Sequence, residues 1–457
     1  MDDNSSRHKL DRPLSGWLMM KPRLWSLLLC TGSFYSLVLP VVPKELVFVQ
    51  AIWRHGDRAP LKLPYPNDAY TESAWQRGWS QLTNLIGGYL LNDFVTNAKR
   101  VANGTMENPK KMLLYSSIGM NQLNELGRYF RTTYNFFVSP TYIPSEVYIR
   151  ASDSDRALTS AQAFTSGFYP ADGSLQWKAG ELWQPIPIHA TSPGEPDLLT
   201  KPTAIQCQKY DDLVDADDDE QAKRFNVQYS EMFDELGEQT GIANFSYKNV
   251  NSIYDVNREL IHNMVSKQPA WVFKQWPQYN NRSTMDIITE LRTIRMITKF
   301  NSSEKANLIG GYLLNDFVTN AKRVANGTME NPKKMLLYSS HDGTLLSLMY
   351  AMGVGNDLMI PYASALIMEI YKEGNGFLVE WLYRNDTTRA PYPMTNPNCG
   401  FPCTVDNMAK LYSNVVLSSY ADQQRLCGTP LEECSRSSSM ITYVLGVFTM
   451  LIALYVS

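Results

Sequence analysis

At 457 residues the chain is long enough for two domains, or for one large domain with a cap. Hydrophobic residues make up 44% and charged residues 19%, with 26 Tyr and 10 Trp, which excludes disorder over most of the length. Lys and Arg total 42 against 45 Asp and Glu; a formal charge of -3 gives no field for non-specific nucleic-acid binding, so no nucleic-acid partner is expected.

From Leu24 to Val42 nineteen residues carry no charge, behind Lys21 and Arg23 and ahead of Lys44. A basic flank before an apolar run reads as a secretory signal, and Pro40 and Pro43 favour cleavage over a spanning helix. Met20 opens a segment of ordinary signal-peptide layout, so residues 1–43 are expected to be an N-terminal extension plus signal peptide. Glu45 to Trp53 is a nearly continuous apolar run, the pattern of a strand buried on both faces. Met120, Leu123, Leu126 and Phe130 recur at helical spacing and predict an amphipathic helix from 119 to about 136. A short strand is expected over Glu146–Ala151 and a helix over Asp155–Phe164.

Residues 165–300 are richer in charge and helix formers and are expected to form a mostly helical cap; the acidic run Asp211–Asp219 reads as a solvated face or loop. Lys334–Ser340 predicts another buried strand, followed by a helix over Thr344–Met352. Two apolar runs, Ser364–Tyr371 and Phe377–Tyr383, flank Glu373-Gly374-Asn375-Gly376 as a hairpin. The expected fold is α/β: a mixed, mostly parallel sheet flanked by helices, with core parts at 44–164 and 301–435 and the cap between them.

Residues 84–117 are identical to residues 307–340, thirty-four positions without a substitution. Solenoid repeats are tandem and diverged, and this pair is neither. The first copy, inside the first core part, is expected to be a surface insertion or a competitor for the slot of the second.

Met440–Ser457 is uncharged and would extend about 27 Å as a helix, close to a hydrocarbon core. Membrane attachment through 437–457 is expected, as a spanning helix or a glycolipid anchor signal. Sequons at Asn103, Asn244, Asn281, Asn301, Asn326 and Asn385 fit a lumenal or extracellular protein in the secretory pathway. Cys399 and Cys403 flank a short loop that a disulfide would close in an oxidising compartment. With Cys30 leaving with the leader, five cysteines remain, and Cys434 is the candidate for the unpaired thiol.

Chemistry concentrates at strand ends. Arg54-His55-Gly56-Asp57-Arg58-Ala59-Pro60 follows the first strand, with two guanidiniums around an imidazole and Gly56 permitting close backbone approach. Guanidinium forks bind phosphate oxygens and keep their charge, and an imidazole among them can attack phosphorus. Tyr148 to Ala157, containing Arg150, Asp153, Asp155 and Arg156, and Ser339 to Thr344, containing His341 and Asp342, also follow strands. Three polar clusters at three strand ends can converge on one point. Asp153, Asp155 and Arg156 read as shaping the turn and helix start.

With these strings the chain resembles the histidine acid phosphatase family, in its lysosomal and prostatic-type branch, from about Leu46 to Cys427. Arg54 to Pro60 fits that family's Arg-His-Gly-x-Arg-x-Pro signature in every fixed position. The resemblance implies a phosphate monoester substrate and His55 as the nucleophile forming a phosphohistidine. It implies that Arg54, Arg58 and Arg150 bind the phosphoryl oxygens, with His341 as a further donor. Asp342 is implied as the proton donor that then activates water, which demands an acidic optimum. It also pairs Cys399 with Cys403 and Cys207 with Cys427. No metal or other cofactor is required, because the arginines neutralise the phosphate. A phytase-like phosphatase or an inactive surface protein on the same fold are the alternatives, and homodimerisation stays open.

Overall fold

The computed structural model describes residues 43–83, 118–394 and 396–428. The expected leader, the first copy at 84–117 with Asn103, Cys434 and the segment 437–457 lie outside the described residues.

The first apolar run forms β1 (Glu45–Arg54). It sits in the middle of a six-stranded sheet with β2 (Val147–Ala151), β3 (Met335–Ser340), β4 (Ala365–Glu373), β5 (Gly376–Arg384) and β6 (Tyr392–Pro393). The spatial order is β2-β3-β1-β4-β5-β6. β3 runs parallel to both β1 and β2, whereas the β1–β4, β4–β5 and β5–β6 pairings are antiparallel. The sheet is thus mixed, but it is not mostly parallel. The hairpin around Gly374-Asn375 forces β5 to return alongside β4, and β4 itself enters antiparallel to β1.

Strand alternation divides the core between two faces. Phe48, Ile52, Leu336, Tyr338, Leu366 and Met368 pack on one side with Leu313, Leu314 and Phe317 from a long helix over Ser303–Ala325. Val49, Ala51, Trp53, Ile149, Leu337 and Ile367 pack on the other with α1 (Ile118–Thr133) and α2 (Asp155–Phe168). Gln50 is fully buried mid-strand, and its amide donates to Asp316 at 2.7 Å, which also accepts from Tyr338 at 2.9 Å. Burial is tolerated because the polar atoms are paired. The second copy of the repeat therefore supplies both the long helix and β3.

Between β2 and β3 the described helices α3 (Gln208–Gln228), α4 (Ser230–Thr240), α5 (Val250–Tyr254), α6 (Val256–Ile261) and α7 (Thr284–Thr298) enclose an apolar cluster of their own around Phe225, Met232, Tyr247, Trp271 and Leu291. The acidic run lies on α3, where Asp211, Asp212 and Asp215 form an exposed face as expected and the last residues are ion-paired: Asp218 takes two hydrogen bonds from Arg295 at 2.7 Å, and Asp219 meets Lys248 at 2.6 Å. On α6, Glu259 is fully buried next to Asp68 and accepts from Gln268 at 2.6 Å. Burial and the Asp68 charge push Glu259 up to about 9, so it holds a proton on the neutral side of the scale. Cys207–Cys427 and Cys399–Cys403 are both bonded. No helix among the described residues is long and apolar enough to cross a membrane.

Candidate active site

The parallel pairing of β1 with β3 brings Arg54 opposite Ser340, and the His55 amide donates to the Ser340 carbonyl at 2.9 Å. Both chains leave the sheet at this point, so His55 and His341 fall side by side with ring centroids 5.4 Å apart. The Ser152 amide donates to the Ser339 carbonyl at 3.1 Å and ties the end of β2 to the same rim. The three polar clusters expected to converge do so.

His55 is 3% exposed. Its Nδ1 lies 2.8 Å from the Gly56 carbonyl, a geometry satisfied by Nδ1–H donation that leaves the Nε2 lone pair for chemistry. Arg156 Nε donates to that Nε2 at 3.2 Å, and its Nη2 lies 3.4 Å from His341 Nδ1. Burial, then the charges of His341, Arg54 and Arg156, hold the His55 imidazole well below its ordinary range. His341, whose Nε2 meets Ser152 Oγ at 2.7 Å, is pushed down to about 3 by burial and the Arg156 charge.

Asp342 opens the helix over Asp342–Ala351, and its Oδ2 pairs with Arg54 Nη2 at 3.0 Å. Burial alone would raise this carboxyl, but Arg54 and then Arg292 hold it well below the usual carboxylate range. Arg54 is fixed in turn by the Ile360 carbonyl and by the ring of Tyr362, 3.8 Å from its guanidinium carbon. Arg58 pairs with Asp255 at 3.2 Å. Asp57, 1% exposed, accepts from Arg258 at 2.7 Å and faces His262 Nε2 at 2.6 Å. This clamp fastens α6 to the loop that carries His55.

One expected ligand is displaced. Arg150 lies inside β2, opposite Tyr338, and its Nη2 pairs with Asp197 at 3.2 Å. Alternation puts Val147, Ile149 and Ala151 into the core and turns Arg150 to the other side, away from the His55 ring. Arg156, read from the sequence as a helix-start residue, takes that place. It sits in the first turn of α2, above the sheet's carboxyl ends. Arg54, His55, His341 and Asp342 are brought together as expected, with Arg58 lining the same cleft.

Gly56 and Gly119 fit this loop onto α1. A Cβ at Gly119 would sit 2.1 Å from the Asp57 carbonyl oxygen, and one at Gly56 would sit 2.1 Å from the Gly119 oxygen. Gly119→Ala is expected to cost about 1–3 kcal/mol of stability and to lower kcat more than the melting temperature suggests, because relief requires the loop that carries His55 to move. Thermal melting and steady-state kinetics on the same preparation check this.

The cleft in front of these groups encloses about 900 Å³. Its walls include Arg54, Arg58, Arg258, Arg292, Tyr254, Tyr362 and Asp342, with Asn385 at the mouth. Asn244, Asn281, Asn301, Asn326 and Asn385 are all exposed.

Residues 45–384 match the family model described as histidine phosphatase superfamily (branch 2). Prostatic acid phosphatase of Mus musculus is 31% identical over 388 residues, covering 84% of this chain and 90% of that protein. Lysosomal acid phosphatase of Xenopus laevis is 30% identical over 447 residues, covering 95% and 90%. Among solved structures, the phytase from Citrobacter braakii superposes with a TM-score of 0.54 at 13% identity, over 86% of this chain and all of that one. Hafnia alvei phytase follows with 0.51 at 14%, over 84% and 98%.

Proposed function

Because the chain belongs to branch 2 of the histidine phosphatase superfamily, we propose that it is an acid phosphatase acting on phosphate monoesters through a phosphohistidine on His55. The observation that carries this reading is the His55 ring itself: Nδ1 is occupied by a carbonyl and Nε2 faces a guanidinium. The superposition on the two phytases speaks to the fold and not to a substrate.

Arg54, Arg58 and Arg156 surround the place where a phosphoryl group would sit, and their charge stabilises the three equatorial oxygens in flight. Nε2 of His55 forms the bond to phosphorus as the bond to the ester oxygen breaks, and that oxygen must receive a proton. Asp342 is the donor in this proposal. Arg54 keeps it ionised in the empty site, so it must gain its proton when the phosphate arrives. An incoming phosphate monoanion brings both a proton and the negative charge that raises the carboxyl's affinity for it. As water attacks phosphorus and the bond to Nε2 breaks, Asp342 takes the water's proton and passes it to the departing phosphate, which restores the ionised Asp342 and the free His55 ring.

The depressed His55 addresses a difficulty particular to acid. An ordinary imidazole would be protonated at pH 5 and could not attack. Burial and the arginines disfavour the second proton, so the lone pair survives. Two measurements test the proposal. Radiolabelled substrate at pH 5 should leave label on His55, and nitrogen NMR should show the His55 ring still neutral there. Absence of turnover in folded protein would overturn the reading.

The two disulfides, the exposed sequons and the lysosomal and prostatic relatives support a secretory or lysosomal location. Attachment through 437–457 and a dimer are part of the same proposal. The exposed surface of Trp177, Leu182 and Trp183 supports the dimer.

A further inference from the structure

Of the five arginines in the cap region three are ion-paired, and Arg224 is exposed. Arg258 pairs with Asp57, Arg282 with Glu290, and Arg295 takes Asp218 with two hydrogen bonds. Arg292, one turn before Arg295 on α7, is different. It is half-buried, it lines the catalytic cleft, and none of the ion pairs among the described residues includes it. The ring of Tyr254 lies 5.6 Å from its guanidinium carbon, and the carboxylate that feels its charge is Asp342, already paired with Arg54. One carboxylate between two guanidiniums leaves a net positive charge at a partly desolvated wall, which is unfavourable unless something else supplies further negative charge. The other cleft arginines have their anions: Asp342 for Arg54, Asp255 for Arg58 and Asp57 for Arg258. Arg156, facing His55, is in none of the ion pairs among the described residues, but the proposed mechanism places it at the reacting phosphate.

The geometry points to a second anion subsite at Arg292, with Tyr254 as its apolar floor, that selects phosphate monoesters carrying another negative group away from the scissile phosphate. This inference rests on the phosphatase reading and names the substrate class for the same cleft. The volume supports it, since about 900 Å³ is far more than one phosphate occupies and lies at the upper end of ordinary ligand sites. The second group can be a carboxylate or a phosphate, because either accepts the planar guanidinium fork.

The test uses one aromatic frame with four phosphate esters: phenyl phosphate, para-carboxamidophenyl phosphate, para-carboxyphenyl phosphate and hydroquinone bisphosphate. The full chain should hydrolyse the two doubly anionic esters with kcat/KM about tenfold above the carboxamide. Arg292→Gln should bring that ratio close to one, and Arg292→Lys should keep most of it. A ratio near one in the unaltered protein, or one that survives Arg292→Gln, overturns the subsite. The carboxylate and bisphosphate arms show which anion it takes. Calorimetric binding of phenylphosphonate against para-carboxyphenylphosphonate reads the same preference without turnover. A binding preference without hydrolysis would support the subsite and overturn the phosphatase reading. Hydrolysis without a preference would do the reverse.

Discussion

Replacing His55 with alanine is expected to lower turnover of p-nitrophenyl phosphate by about 10⁴-fold or more, since the proposed mechanism forms its covalent intermediate on that imidazole. The arginine pair then separates two accounts of the site. Arg156→Ala is expected to lose about 10²- to 10³-fold in kcat/KM, because it faces Nε2 directly and none of the ion pairs among the described residues includes it. Arg150→Ala is expected to change kcat/KM by less than about threefold while costing stability, because it leaves Asp197 buried without its ion pair. Steady-state kinetics and thermal melting on the three variants decide the matter. Equal kinetic losses at Arg150 and Arg156 would contradict the geometry described.

The second large effect concerns the repeated segment. Thr83 Oγ1 accepts a hydrogen bond from the Gly119 amide at 3.0 Å, and the Thr83 amide donates to the Asp57 carbonyl at 3.0 Å. The first bond is that of a helix cap to its third residue, made between positions 36 apart in the chain. Removing residues 84–116 leaves Thr83-Ser117-Ile118-Gly119, in which the same threonine is the cap and the same glycine is the third residue. The excision therefore restores ordinary capping spacing at the start of α1, the helix pressed against the His55 loop. Shortening the connection should stabilise the protein by about 2–3 kcal/mol from loop closure alone. It also removes a rival copy of β3 and its helix. The excised protein is expected to be secreted in higher yield, to melt higher and to hydrolyse p-nitrophenyl phosphate at least as fast. A fall in any of the three would show that the segment is needed.

Much of this arrangement is legible in the residues. β1 reads as a doubly buried strand because it is one, and Arg54, His55, His341 and Asp342 follow because they immediately succeed strands. Which copy of the repeat enters the sheet is also readable in principle. Only the second runs on into His341 and Asp342, whereas the first runs into Ile118 and Gly119. What local pattern does not convey is direction across the sheet. Arg150 and Arg156 lie in one string, and strand parity alone removes the first, while only the tertiary placement of α2 aims the second at the imidazole. The antiparallel entry of β4 and the clamp of Arg258 and His262 on Asp57 are equally non-local, since the partners are about 200 positions apart.

The protonated glutamate under the cap carries a consequence for where such a protein endures. An unfolded chain would release that proton near the ordinary value of 4.5, whereas the native one keeps it until about 9. Across this interval the native state binds the extra proton, so every unit of alkalinity erodes up to about 1.4 kcal/mol of its advantage. The acid that the proposed proton donor needs thus also best holds the lid of helices in place. A molecule moved from acid into neutral fluid would keep that proton but lose part of the stability it lends, and only near pH 9 would Glu259 and Asp68 face each other without it.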